Sequence, residues 1–219
     1  MDWSALKLSL YLALATSLIL LPFGALLARL LAWSDFRGKW IVEAALALPL
    51  VLPPTVLGYY LLVALGSGSP LGALYENATG HPLAFSFEGL VLASVLINIP
   101  FALIPMQRAF EAIPLEVHQA ARVCGMTPLQ AFFKVELPLA WPGVLSGFIM
   151  TAAHTVGEFG VVLMVGGSIP GETKTIAIAI YDKVQAFDMQ AAGWMSGTLL
   201  ALSLLALAFT ARLGRRSLR

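Results

Sequence analysis

The chain has 219 residues, of which 59% are hydrophobic and 11% charged, with a net charge of +1. That balance excludes a soluble globular domain and fits a polytopic membrane protein built from helices. The near-zero net charge gives no basis for nucleic-acid binding, the single cysteine, Cys124, excludes an internal disulfide, and no cysteine pair or HExxH run marks a zinc site.

Leu8 to Ala28 is uncharged and long enough to cross a bilayer as a helix. The run exceeds a signal-peptide core, only Lys7 flanks it, and no small-x-small cleavage site follows. It is read as the first span, with kink points at Pro22 and Gly24. Arg29, Arg37 and Lys39 surround a short loop that sets Trp33 and Trp40 at headgroup depth. Val42 to Leu65 is expected as the second span and carries Pro49, Pro53 and Pro54. Prolines leave carbonyls that lipid cannot satisfy, so this span should face protein or a water-filled path, and Pro53 and Pro54 are candidate pore or structural residues. Gly66 to Pro82, with Asn77 and His81, reads as a surface turn. Gly89 to Met106 is the third span, interrupted by Pro100 and Pro105 and carrying Asn98, a candidate pore or structural residue.

Ile113 to Pro142 cannot span a membrane. Pro114 suits a first helical turn, Leu115 to Cys124 has no breaker, and Gly125 suits a left-handed helix end. Thr127, Pro128 and Gln130 form a second start with a capping box, and Pro138 and Pro142 are expected to close it. Ala120, Ala121 and Gly125 make a small face that another backbone can approach, with Phe132 and Phe133 as apolar bulk beside it. The unit is either a docking element or an interfacial loop lying on headgroups. Cys124 within it reads as a small apolar filler.

The fourth span, about Leu139 to Val165, places His154 and Glu158 four apart on one helical face. Two ligands do not make a metal site. Glu158 lies about 22 Å of helix rise beyond Gly143, in the outer half. It is either a pore or gate residue or a structural acid holding backbone N–H groups or an outer lysine such as Lys183. Gly166 to Gln190 is polar, with a patch, Thr175 to Tyr181, that suits a short helix on the outer face. Ala191 to Ala211 is the fifth span.

Arg29, Arg37, Lys39, Arg108, Arg122, Lys134, Arg212, Arg215, Arg216 and Arg219 fall on one side, and Lys7, Lys174 and Lys183 on the other. That asymmetry puts Ile113 to Pro142 and the C-terminus in the cytoplasm and the N-terminus outside. GGSIPGETKT, Gly166 to Thr175, lacks the contiguous Gly-Lys-Ser/Thr of a phosphate loop, so nucleotide chemistry belongs to a partner. No internal repeat is visible, and residues 1–219 count as one domain.

The stretch resembles the EAA loop of ABC importer permeases: Glu-Ala-Ala, three residues, Gly, nine residues, Ile, one residue, Leu-Pro. The pattern falls on Gln119, Ala120, Ala121, Gly125, Val135, Leu137 and Pro138, with Gln for Glu and Val for Ile. The resemblance implies a coupling loop at about 110–138 seated on a cytoplasmic ATPase. HTVGEFGVVLMVGGSIPGETKTIAIAIY and LPLVLPPTVLGYYLL are similar to segments of the molybdate permeases, whose near relatives carry sulfate or thiosulfate. The resemblance implies an all-α transmembrane bundle of about five spans with the type I, MetI-like importer fold. It implies a bacterial or archaeal inner-membrane homodimer, two ATPase subunits holding ATP and Mg, and an extracytoplasmic oxyanion-binding protein. No cofactor on this chain and no enzymatic activity of its own are expected. Import of molybdate is the reading; tungstate or sulfate import, or proton-coupled transport through Glu158, are its alternatives.

Overall fold

The computed structural model describes residues 1–217; Arg219, counted among the basic residues of one side, lies outside the described residues. Among the described residues, four helices are long and apolar enough to cross a membrane, and a bent pair brings the number to five. Helix α1 (Trp3–Trp33) opens on Asp2, whose carboxylate accepts the Ala5 N–H at 3.0 Å, and runs through Pro22 without ending.

The expected second span is not one straight helix. Helix α2 (Lys39–Ala47) and a 3₁₀ turn, Leu48–Leu50, meet α3 (Pro54–Leu65) at a bend of 104°. Adjacent prolines explain the break: neither Pro53 nor Pro54 donates a hydrogen bond, and Pro54 forces Pro53 into an extended conformation, with ψ 136°. The following segment is also more than a turn. It contains α4 (Pro70–Thr79), capped by the Ser69 hydroxyl on the Gly72 N–H at 2.8 Å and ended by left-handed Gly80.

Helix α5 (Phe87–Glu111) is the third span and leads into α6 (Leu115–Val123) and α7 (Pro128–Ala131). The expected proline stop does not exist. A π-helical turn, Phe132–Glu136, joins α7 directly to α8 (Leu137–Gly157), with Leu137 N–H reaching back to Phe132 O. Pro138 directly follows the π turn, and Pro142 lies inside α8.

The fourth span is broken where one continuous helix was expected. Helix α8 ends at Gly157, Glu158 is extended with ψ 129°, and α9 (Gly160–Gly166) starts anew. Flanking glycines make that break inexpensive. Helix α10 (Ile176–Gln185) is the expected short outer helix, and its Ile176, Ile178 and Ala179 are buried. Helix α11 (Met189–Ser217) completes the set.

Helices α1, α5 and α8 pack against one another as the centre of the bundle, α3 rests on α9, and α11 on α8 and α10. Small residues set the α5–α8 spacing: a Cβ added to Gly143 would lie 2.2 Å from the Ala109 Cβ, and one on Gly147 2.6 Å from Ala102 O. A core of Ala28, Leu31, Phe110, Ile113, Phe132 and Ala140 closes the bundle at the α6–α7 end.

Candidate functional site

The helix–glycine–helix unit forms as its residue order dictates. Glu116 and Arg122 sit in the first and last turns of α6, each matching the helix dipole. Gly125 has φ +74°. Gly125 N–H donates to Arg122 O at 3.0 Å and Met126 N–H to Ala121 O at 3.1 Å, the paired closure of a Schellman motif. Thr127 and Gln130 make both hydrogen bonds of the capping box, at 3.3 and 3.0 Å.

The face this unit presents differs from the small-residue face expected. Ala121 is buried against its own chain, so it is no contact surface, and Phe132 is likewise core. Gln119, Ala120 and Gly125 are exposed, along with Leu115, Val123, Leu129 and Phe133. Val123, 88% exposed, is the most open of these apolar side chains. Cys124 is exposed and fills no gap. Val135 lies half-buried in the π turn, Leu137 packs on the core, and Pro138 is exposed.

Beneath the unit lies a carboxylate that the sequence reading passed over. Glu136 is 1% exposed and pairs with Arg29 of α1 through Arg29 Nε and, at 3.2 Å, Nη2. His118 Nδ1 of α6 stands 2.9 Å from Glu136 Oε1, the oxygen that Arg29 Nη2 also contacts. The His118 ring stacks on Trp33 at 4.8 Å, and the Arg29 guanidinium lies 5.6 Å from the Phe132 ring centroid. Trp33 is therefore packed within the protein and not only at headgroup depth. An acid one residue before Leu137-Pro138 was the available signal, but Arg29 is 107 residues away and no spacing rule connects them.

A second polar group lies within the bundle. Buried Asn98 donates from Nδ2 to Ser94 O at 2.8 Å, and its Oδ1 is 3.0 Å from His154 Nδ1, so that nitrogen carries the proton. His154 stacks on Phe101 at 3.8 Å and holds Nε2 3.8 Å from Glu158 Oε2. Glu158 Oε1 accepts the Val161 N–H at 3.0 Å and so caps α9. Lys183 does not reach Glu158; it pairs with Asp188 at 3.1 Å. The structure thus brings Asn98, His154 and Glu158 together. Pro54 adjoins them through Gly160, where an added Cβ would lie 2.7 Å from the Pro54 Cβ, so the two helix breaks meet. Pro53, Pro54 and Thr55 face outward from this chain. In the Gly166–Thr175 segment, the Glu172, Thr173 and Lys174 N–H groups all reach toward Ile169 O.

The model of a family described as binding-protein-dependent transport system inner membrane component matches residues 20–218. The molybdenum transport system permease protein ModB of Azotobacter vinelandii is 47% identical over 209 residues, 94% of this chain and 91% of that protein. A sulfate transport system permease protein of Salmonella typhimurium is 31% identical over 217 residues, 97% of this chain and 78% of that one. Among solved structures, a bacterial alginate ABC transporter in complex with its alginate pentasaccharide-bound periplasmic protein superposes with a TM-score of 0.74 at 18% identity, covering 97% of this chain and 78% of that one. That likeness fixes the ABC-permease fold.

Proposed function

The chain belongs to the family of binding-protein-dependent transport system inner membrane components, and we propose that it is the permease subunit of an ABC importer for molybdate. The observation that carries the substrate is the 47% identity, over nearly the whole of both chains, to a permease named for molybdenum transport, against 31% to one named for sulfate. It is a multi-pass inner-membrane conduit and not an enzyme.

Two copies form the path, two cytoplasmic ATPase subunits holding ATP and Mg supply the energy, and an extracytoplasmic oxyanion-binding protein delivers the cargo. The exposed face of Leu115, Gln119, Ala120 and Val123 suits an ATPase groove. Helix α7 continues through the π turn into α8 without a loop, so displacement of the docking unit moves a membrane helix as one piece. Basic residues gather at the docking-unit end, which supports a cytoplasmic side for that end and the C-terminus, with the N-terminus outside. The outward-facing Pro53–Thr55 stretch, beside the α8–α9 break, is positioned to line the path. A bare carboxylate would repel a molybdate dianion there; Glu158 is instead tied to the Val161 N–H.

The test is molybdate uptake into proteoliposomes holding this chain and its ATPase, with the binding protein outside. Uptake is expected to require ATP inside and the binding protein. Uptake driven by a proton gradient without ATP refutes the importer reading, and calorimetry showing the binding protein to prefer sulfate refutes the substrate.

A further inference from the structure

Glu136 is too well enclosed to belong to the docking surface. Its carboxylate is held between a guanidinium from the end of α1 and an imidazole from α6, and Glu136 is itself the last residue of the π turn at the head of α8. Three elements therefore meet on one side chain: the docking helix, the first membrane helix, and the span that the docking unit feeds. Among the described residues, His118 makes the side-chain hydrogen bond from α6 to the membrane helices. Separating a carboxylate this buried from its partners is costly, so the three groups are held together. Movement of α6 by more than about one hydrogen-bond length would break the His118 contact or drag Glu136, and with it Arg29 and the head of α8.

We propose that Glu136, held by Arg29 and His118, is the positioning residue that couples displacement of the docking helix to joint movement of α1 and α8. The proposal rests on the ABC-importer reading and adds to it a named transmission point. The π turn fits this role, since its wider hydrogen bonding lets Glu136 turn inward from a helix whose neighbours Phe133 and Lys134 face out.

A purely structural role and a coupling role part company when both charges are removed. Loss of one partner strands a buried charge and destabilises under either role. Removal of both charges leaves no buried charge without its partner. Arg29→Gln/Glu136→Gln is therefore expected to insert, to copurify with the ATPase and to melt near the wild type. Its molybdate-stimulated ATP hydrolysis and uptake should fall about tenfold while basal hydrolysis persists. His118→Gln leaves the Arg29 pair intact and is expected to lower the ratio of stimulated to basal hydrolysis several-fold with ATPase binding unchanged. Wild-type coupling in either variant overturns the proposal, and His118→Gln decides alone if the double variant fails to fold. Wild-type chain that neither binds the ATPase nor imports molybdate refutes the importer reading itself, a separate outcome read in the same preparation.

Discussion

Substitution at Gly125 separates backbone shape from contact size in the docking unit. Its φ of +74° lies in the left-handed region, and its N–H and that of Met126 close α6. A Cβ there would meet nothing within 4 Å, so a substitution brings strain without collision inside this chain. The strain is about 1–2 kcal/mol for an ordinary L-residue. It is smaller for asparagine, which tolerates this region, and larger for β-branched valine. A penalty of 1–2 kcal/mol shifts the ratio of the docking shape to its alternatives by about 5–30-fold. The assay is titration of the ATPase against tagged permease carrying Gly125→Asn, Gly125→Ala or Gly125→Val. Apparent affinity is expected to fall in that order, with transport following it. Contact size alone predicts that alanine outperforms asparagine. That order, or full ATPase binding by Gly125→Val, refutes a backbone origin for the requirement.

Val123→Asp, at an exposed apolar position, should leave insertion and melting unchanged yet weaken ATPase copurification about tenfold or more, since burying a valine is worth about 1.5 kcal/mol or more before the new charge is counted. Glu158→Gln should keep the α9 cap and transport per folded molecule, and Glu158→Ala should lower stability by about 1 kcal/mol in thermal unfolding; loss of uptake in a well-folded Glu158→Gln would make this acid a proton carrier instead. Gly143→Leu drives a side chain into Ala109 and Pro105, and should cost about 1–3 kcal/mol or more, read as a lowered melting temperature in detergent. A reporter fused after Arg219 should be cytoplasmic and one near Asn77 or Glu172 external; a C-terminus outside would remove the charge basis for placing the docking unit.

Much of the architecture was legible because its causes are local. Apolar runs of bilayer length announced the spans formed by α1, α5 and α11. Gly125 and the Thr127–Gln130 capping box were readable because the residues that satisfy each helix end lie within four positions of it. The EAA pattern, spread from Gln119 to Pro138, was legible only as a resemblance to a known family, and its Ala121 faces inward.

Elsewhere local rules were present but their strength was not. Pro49, Pro53 and Pro54 signalled a disturbed helix, yet whether a chain kinks or turns by 104° depends on what receives it, here the α9 surface against Gly58 and Pro54. Gly157 and Gly160 permitted the break at Glu158, and only packing decided to use it. Pro138 and Pro142 looked like a stop because a proline weakens a helix locally. The π turn and the surrounding bundle carry the chain through.

By itself, then, the sequence determined composition-driven burial in lipid, the number of spans, the helix ends at Gly125 and Thr127 and the charge asymmetry, all set by residues near one another along the chain. The tertiary structure alone decided which polar groups satisfy one another across it. Arg29 meets Glu136, and Asn98 meets His154, because a buried charge or amide must find its partner in space, and sequence separation places no limit on where that partner lies.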